Sequence, residues 1–130
     1  THGTGKVDAS QIEKAVGDKH GIRRYGFFLA PMEESLAQVV VDLSGRPAIA
    51  YRAKYRGSKI GTFDVQLVEE FLRALAFNAR MNLHVTVPCG TNNHHIAEAI
   101  FKALGRALRM AVEIDPRETD VPSTKGTLSG

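Results

Sequence analysis

Apolar positions along this chain recur with two different periods, and those periods predict its elements. The clearest helical period runs from Asp64 to Ala79. Leu67, Val68, Phe71, Leu72, Leu75, Ala76 and Ala79 share one wide face, which predicts an amphipathic helix capped by Asp64. A second helix is predicted over Asn93 to Glu113, with Ile96, Ile100, Leu104, Leu108 and Val112 at intervals of four. Asp115-Pro116 stops it, because the residue before a proline is pushed out of helical geometry. Between the helices, Leu83, Val85 and Val87 alternate as one side of a short strand, and Pro88 to Asn93 follows as a loop.

Three strands are predicted upstream. Arg23 to Ala30 is aromatic-rich, and Leu36 to Leu43 carries the run Val39-Val40-Val41, whose continuity predicts burial on both faces. Ala48 to Tyr55 alternates in part and suits a half-exposed strand. Turns are expected at Pro31-Met32-Glu33-Glu34 and at Ser44-Gly45-Arg46-Pro47, and Arg56 to Lys59 is a polar connection. In the first twenty residues the pattern is weak. Asp8 or Ser10 caps a short helix ending near Val16, and Glu13 completes a capping box with Ser10. Beyond Asp115 lies a polar tail without periodicity. The order is weak helix, β, β, β, α, β, α, tail. It predicts an α+β fold, a two-layer α/β sandwich with the helices on one face of the sheet.

Composition narrows this only a little. A chain of 130 residues that is 43% hydrophobic and 24% charged has the size and make-up of one globular domain. No run is long and apolar enough for a membrane-spanning helix. The single cysteine, Cys89, excludes an intrachain disulfide and a cysteine-rich zinc site, and fits a reducing, cytoplasmic location. The first six residues lack a basic-then-apolar leader pattern. A net charge of +3 suits an anionic small molecule. No basic-and-aromatic motif supports nucleic-acid binding.

The strongest chemical signal opens the last helix, in Asn93-His94-His95-Ile96-Ala97-Glu98. At ~100° per residue, Glu98 falls about 40° from His94 and about 60° from His95, away from the apolar stripe. Two imidazoles and a carboxylate in one polar sector suit Zn, Mn, Fe or Ni. With three protein donors, positions stay open for water or substrate, as in a catalytic site. The plainer account of the same residues is helix capping and solvation. Glu70, on the polar face of the first helix, is a further candidate donor. His84 falls on the polar side of its strand.

Basic residues beside turns give a second signal. Arg23-Arg24 opens a strand, Arg46 sits within a turn, and Pro122-Ser123-Thr124-Lys125-Gly126 offers hydroxyls, an ammonium and backbone N–H groups suited to a phosphate. It lacks the glycine spacing of a nucleotide-binding loop. Lys102, four residues after Glu98, either pairs with it along the helix or sets a cation beside the donor sector.

Several segments occur in a telling order. They are Gly21-Ile22-Arg23-Arg24-Tyr25-Gly26, Val41-Asp42-Leu43-Ser44-Gly45-Arg46-Pro47, Gly61-Thr62-Phe63-Asp64, His94-His95-Ile96-Ala97-Glu98-Ala99 with Phe101-Lys102-Ala103, and Val121-Pro122-Ser123-Thr124-Lys125-Gly126. Together they resemble the imidazoleglycerol-phosphate dehydratase family, lyases of histidine biosynthesis, over roughly Gly17 to Leu128. The resemblance implies a β-β-β-α-β-α half-domain of a duplicated fold. It also implies homo-oligomers with sites at subunit interfaces, and a pair of Mn2+ ions per complete site. His94, His95, Glu98 and Glu70 would be metal ligands. Arg24, Arg46, Lys102, Ser123 and Lys125 would hold a phosphorylated imidazole substrate. The implied reaction removes water from imidazoleglycerol phosphate to give imidazoleacetol phosphate, with Glu98 and Glu33 as the catalytic carboxylates.

Against that family, the chain departs at three places. Residues 1–20 hold no His-His pair and are expected to be a remnant of a preceding repeat or a linker, ahead of a domain over 21–114 and a substrate-binding tail over 115–130. Glu70 stands where many members carry a metal-binding histidine, and Glu33 where they usually carry aspartate. The expectation is a fragment or incompletely represented dehydratase. The alternative is a truncated, catalytically incompetent metal- or phosphate-binding half-domain that oligomerises.

Overall fold

The structure, a computed structural model, describes residues 21–116. In chain order its elements are β1 (Tyr25–Met32), β2 (Ser35–Asp42), β3 (Ala48–Arg52), β4 (Lys59–Ile60), β5 (Phe63–Asp64), α1 (Gln66–Asn78), β6 (Asn82–Cys89) and α2 (Asn93–Val112). The main sheet has the order β1-β2-β6-β3, and β4 pairs with β5 as a small separate hairpin. β1 and β2 run antiparallel from Tyr25 opposite Asp42 to Met32 opposite Ser35. β6 lies antiparallel to β2 and parallel to β3. The parallel pair follows from connectivity, since a crossover through α1 brings the chain back in the same direction.

Both helices cover one face of this sheet, which gives the two-layer α/β sandwich the pattern predicts. The core is built from Ala37, Val39 and Val41 of β2, Leu83 and Val85 of β6, Val68 and Leu72 of α1, and Ile96 and Ile100 of α2. The expected burial of β2 on both faces does not hold. Ser35, Ala37, Val39 and Val41 are buried, while Leu36 and Val40 on the opposite face are only half-buried. An apolar run cannot report whether a second layer covers it. On that open face Phe27 of β1 is 55% exposed, with Tyr25 and Leu29 beside it.

α2 also departs from its predicted stripe. An interval of four overshoots a full turn by about 40° each time, so Leu108 and Val112 drift to a flank. Ala103, Ala107 and Ala111 are fully buried in their place. Small side chains let the helix approach β1 closely. A Cβ on Gly26 would lie 1.9 Å from the Ala107 carbonyl oxygen, so this strand position accepts only glycine without movement.

Boundaries shift for identifiable reasons. β1 runs from Tyr25 to Met32 rather than from Arg23 to Ala30, because Arg24 adopts a positive φ of 76° and the turn narrows to Glu33-Glu34. β3 ends at Arg52, short of the expected Tyr55, and the β4–β5 hairpin has no signature in the pattern, since two-residue strands carry no period. At the start of α1 the cap position is Val65, which has no side-chain cap bond. Asp64 still accepts from the Gln66 N–H at 3.1 Å. β6 continues through Pro88 to Cys89, beyond the predicted end at Val87. It does so because its register with β2 shifts between Leu36 and Gln38, leaving Pro88 where no ladder N–H is required. Residues 1–20 and 117–130, including the predicted N-terminal helix, lie outside the described residues. Among the described residues no helix is long and apolar enough to cross a membrane.

Candidate metal centre

The start of α2 is a fixed platform. Asn92 caps it, its side-chain oxygen accepting from the backbone N–H groups of His94 at 2.9 Å and His95 at 3.2 Å. Asn93 ties the platform to the preceding loop. It accepts from the Arg56 N–H at 2.9 Å and donates to the carbonyls of Arg56 at 2.6 Å and Lys59 at 2.9 Å. The two imidazoles diverge as helical spacing requires, with ring centroids 6.5 Å apart.

His94 points outward, its side chain 72% exposed, with Nε2 3.6 Å from Glu98 Oε1. The predicted sharing of a sector by His94 and Glu98 is therefore realised, and Glu98 faces His94 rather than Lys102. His95 turns inward to a partner outside its helix. Its Nδ1 lies 2.7 Å from Oε1 of Glu34, in the β1–β2 turn. The other Glu34 oxygen accepts from the Ser35 hydroxyl at 2.6 Å, the Asn92 N–H at 2.8 Å and the Thr91 N–H at 3.0 Å. The Ser35 hydroxyl above all, then His95 and the two backbone N–H groups, hold the Glu34 carboxyl well below the usual carboxylate range.

Gly90 makes this junction possible. A Cβ there would fall 2.6 Å from Ser35 Oγ and 2.8 Å from Ile96 Cγ1. The loop after β6 can thus press against the turn that carries Glu34. Sequence reasoning missed Glu34. The expected carboxylate is its neighbour Glu33, which takes a left-handed φ of 56°, while Glu34 meets the histidine. The one available signal was position. A two-residue turn next to a strand that pairs with β6 must sit beside the β6–α2 loop.

The remaining candidates are spread out. Arg24 makes a two-pronged pair with Asp42, Nε to Oδ1 at 2.7 Å and an Nη to Oδ2 at 3.3 Å, and its guanidinium lies 5.1 Å from the Tyr25 ring centroid. Contact with the Asp42 carboxylate raises the Arg24 pKa further. Arg46 sits in the nearby turn, its backbone carbonyl accepting from Asn82 at 3.0 Å. Both arginines lie at the opposite end of the sheet from Glu34. At about 3.3 Å per residue the length of β1 separates the two ends by roughly 25 Å. Lys102 is exposed on α2, about 6 Å along the axis from Glu98. Glu70 faces an open groove on α1 with Arg73, Ala74 and Phe77. Ser123 and Lys125 lie outside the described residues. Among the described residues, no three His, Cys, Asp or Glu side chains converge closely enough to hold a metal ion. Cys89 is a free, exposed thiol, and His84 is exposed on the open face of the sheet.

Two imidazoles and a carboxylate on a capped helix start are thus a partial donor set, with Arg24, paired to Asp42, and Arg46 at the far end of the same sheet. A family model described as imidazoleglycerol-phosphate dehydratase matches residues 3–108. A relative with that name from Bacillus subtilis (strain 168) is 61% identical over 115 residues, covering 88% of this chain and 59% of the relative. Another from Granulibacter bethesdensis is 54% identical over 129 residues, covering 98% of this chain and 66% of the relative. The chain thus spans about three fifths to two thirds of these relatives' lengths. A crystal structure of imidazoleglycerol-phosphate dehydratase from Staphylococcus aureus N315 superimposes with a TM-score of 0.79 at 46% identity, over 85% of this chain and 65% of that one. The Pyrococcus furiosus enzyme superimposes with a TM-score of 0.75 at 32% identity, over 90% of this chain and 66% of that one.

Proposed function

The chain belongs to the imidazoleglycerol-phosphate dehydratase family, and from that premise we propose that it contributes one part of a Mn2+-dependent dehydratase site. The reaction converts imidazoleglycerol phosphate to imidazoleacetol phosphate in cytoplasmic histidine biosynthesis. The observation that carries this reading is the capped start of α2, which presents His94 outward with Glu98 and holds His95 on Glu34.

The donor chemistry fits the ions. Imidazole nitrogens with carboxylate oxygens suit Mn2+ among other divalent metals. His94, His95, Glu98 and Glu70 would hold a pair of Mn2+ ions together with donors from elsewhere. When bound, the ions supply Lewis acidity that stabilises negative charge on the substrate's imidazole ring. The chain's own residues do the rest. Arg24, Arg46, Lys102, Ser123 and Lys125 would hold the substrate and its phosphate. A carboxylate, Glu98 or Glu33, accepts the proton from the weakly acidic C–H, and the departing hydroxide leaves from the neighbouring carbon. Glu98 carries two acceptor oxygens, so it would be able both to help hold a metal and to accept a proton.

The separation of the His94–Glu98 corner from Arg24 and Arg46 supports a site assembled between copies of the chain. The two ends of β1 lie roughly 25 Å apart, farther than a small phosphorylated substrate reaches, so the two groups serve one substrate only across an interface. The test is metal content and turnover of imidazoleglycerol phosphate before and after chelation. Removing the metal should abolish turnover, and Mn2+ should restore it. His94→Ala and Glu98→Ala should each lower the metal stoichiometry. Metal content unchanged in both variants would refute the ligand assignment. Metal and phosphate binding without turnover would favour the alternative of an incompetent half-domain.

A further inference from the structure

Glu34 does two jobs with its two oxygens, and they are chemically separable. Oε2 collects three donors, the Ser35 hydroxyl and the backbone N–H groups of Thr91 and Asn92. That fixes where the carboxylate sits and leaves Oε1 to face Nδ1 of His95 at 2.7 Å. A carboxylate held by donors is itself an acceptor only. The ring nitrogen facing it must be the one that carries the proton.

We propose that Glu34 is a positioning residue that locks His95 in the Nδ1–H tautomer and so leaves its Nε2 lone pair free to bind a metal ion. The proposal rests on the metal-centre reading above and adds a residue to it. Glu34 is not among the donors proposed above for the metal or the substrate. It acts through His95, in the manner of carboxylates that orient metal-binding histidines from behind. The neighbouring imidazole is held differently: His94 is largely exposed, and among the described residues its ring nitrogen faces a carboxylate of its own helix, Glu98, at 3.6 Å. His95 is therefore the pre-set ligand of the pair and His94 the adjustable one.

Glu34→Gln separates tautomer control from folding. Three donors crowd the Oε2 position, so the glutamine must place its carbonyl oxygen there. Its NH2 group then occupies the Oε1 position and points a donor at His95 Nδ1. The contact survives only if that nitrogen gives up its proton and Nε2 takes it, which removes the metal-binding lone pair. The ties to Ser35, Thr91 and Asn92 remain, so the metal-free variant should stay folded.

The experiment uses the intact protein, stripped of metal, and reads the His95 tautomer by 15N NMR. The same samples then give Mn2+ dissociation constants by equilibrium dialysis. The wild type should show the proton on Nδ1, and Glu34→Gln should move it to Nε2 or scramble it. Mn2+ affinity should fall roughly 10- to 100-fold in the variant. A wild-type His95 protonated on Nε2 would overturn the proposal, and this measurement needs no variant to fold. A variant that binds Mn2+ within about twofold of a wild type that does bind it would overturn the proposal alone. A wild type that takes up no Mn2+ would remove the underlying reading and this inference with it.

Discussion

Replacing Gly26 by alanine probes the closest approach between the two layers. The added methyl carbon would sit 1.9 Å from the Ala107 carbonyl oxygen, and 2.9 Å from both the Ala107 carbonyl carbon and the Ala111 nitrogen. These are backbone atoms of α2, which cannot swing aside as a side chain can. A comfortable carbon–oxygen contact needs about 3.3 Å, so β1 and α2 must part by about 1.4 Å. Separation loosens the packing of Ala107 and Ala111, which are fully buried. Overpacking of this kind costs about 1–3 kcal/mol, and a rigid obstacle puts Gly26→Ala at the upper end. The lower chain entropy of alanine returns roughly 0.5–1 kcal/mol. The net loss is about 2 kcal/mol, or roughly 8–16 °C in Tm for a domain of this size. Thermal and urea unfolding measure it. Gly105→Ala on α2 is the control of opposite sign, because nothing lies within 4 Å of a Cβ there. Relief of helix-interior glycine should stabilise that variant by roughly 0.5–1 kcal/mol. A Gly26→Ala protein melting within about 2 °C of wild type would refute the reasoning.

Other outcomes follow from single contacts. Asn92→Ala removes the cap that accepts from His94 and His95 and should cost about 1 kcal/mol of stability by urea unfolding. A double-mutant cycle on Arg24→Ala and Asp42→Ala should give a coupling of about 1–2 kcal/mol, because the pair is two-pronged and largely shielded, and a coupling near zero would remove it from the structural account. Burial, with the Tyr55 hydroxyl at 2.8 Å, raises the Tyr51 pKa, and burial also raises that of Tyr55. A group whose folded pKa lies above its unfolded value stabilises fully below the unfolded value and loses that contribution as pH rises past it. Stability should therefore be steady to about pH 9 and decline above about 10. The Tyr51→Phe, Tyr55→Phe double variant should decline less steeply over the same range, and equal slopes would exclude this cause.

The sequence by itself determined the layers and the location of the donors. Leu67 through Ala79 and Ile96 through Leu104 could form only one-sided helices, and alternation at Leu83, Val85 and Val87 required a strand. Periodicity records which side of an element is apolar, so it carried the α+β sandwich. The family was legible too, because its motifs are local strings with fixed order. His94 and Glu98 meet because helical geometry alone sets residues four apart on one face.

Only the tertiary structure decided the rest. Which face of β2 is covered, and that Tyr25, Phe27 and Leu29 stand open, depends on what packs there. That Gly26 must be glycine depends on a helix some eighty residues away in sequence. Glu34 and His95 are 61 positions apart, and their contact exists because β2 pairs with β6 and draws the β1–β2 turn onto the start of α2. The distance between Arg24 and the histidines is likewise a product of the sheet. Local patterns encode element type and facing, whereas contacts between distant residues arise only when the elements dock.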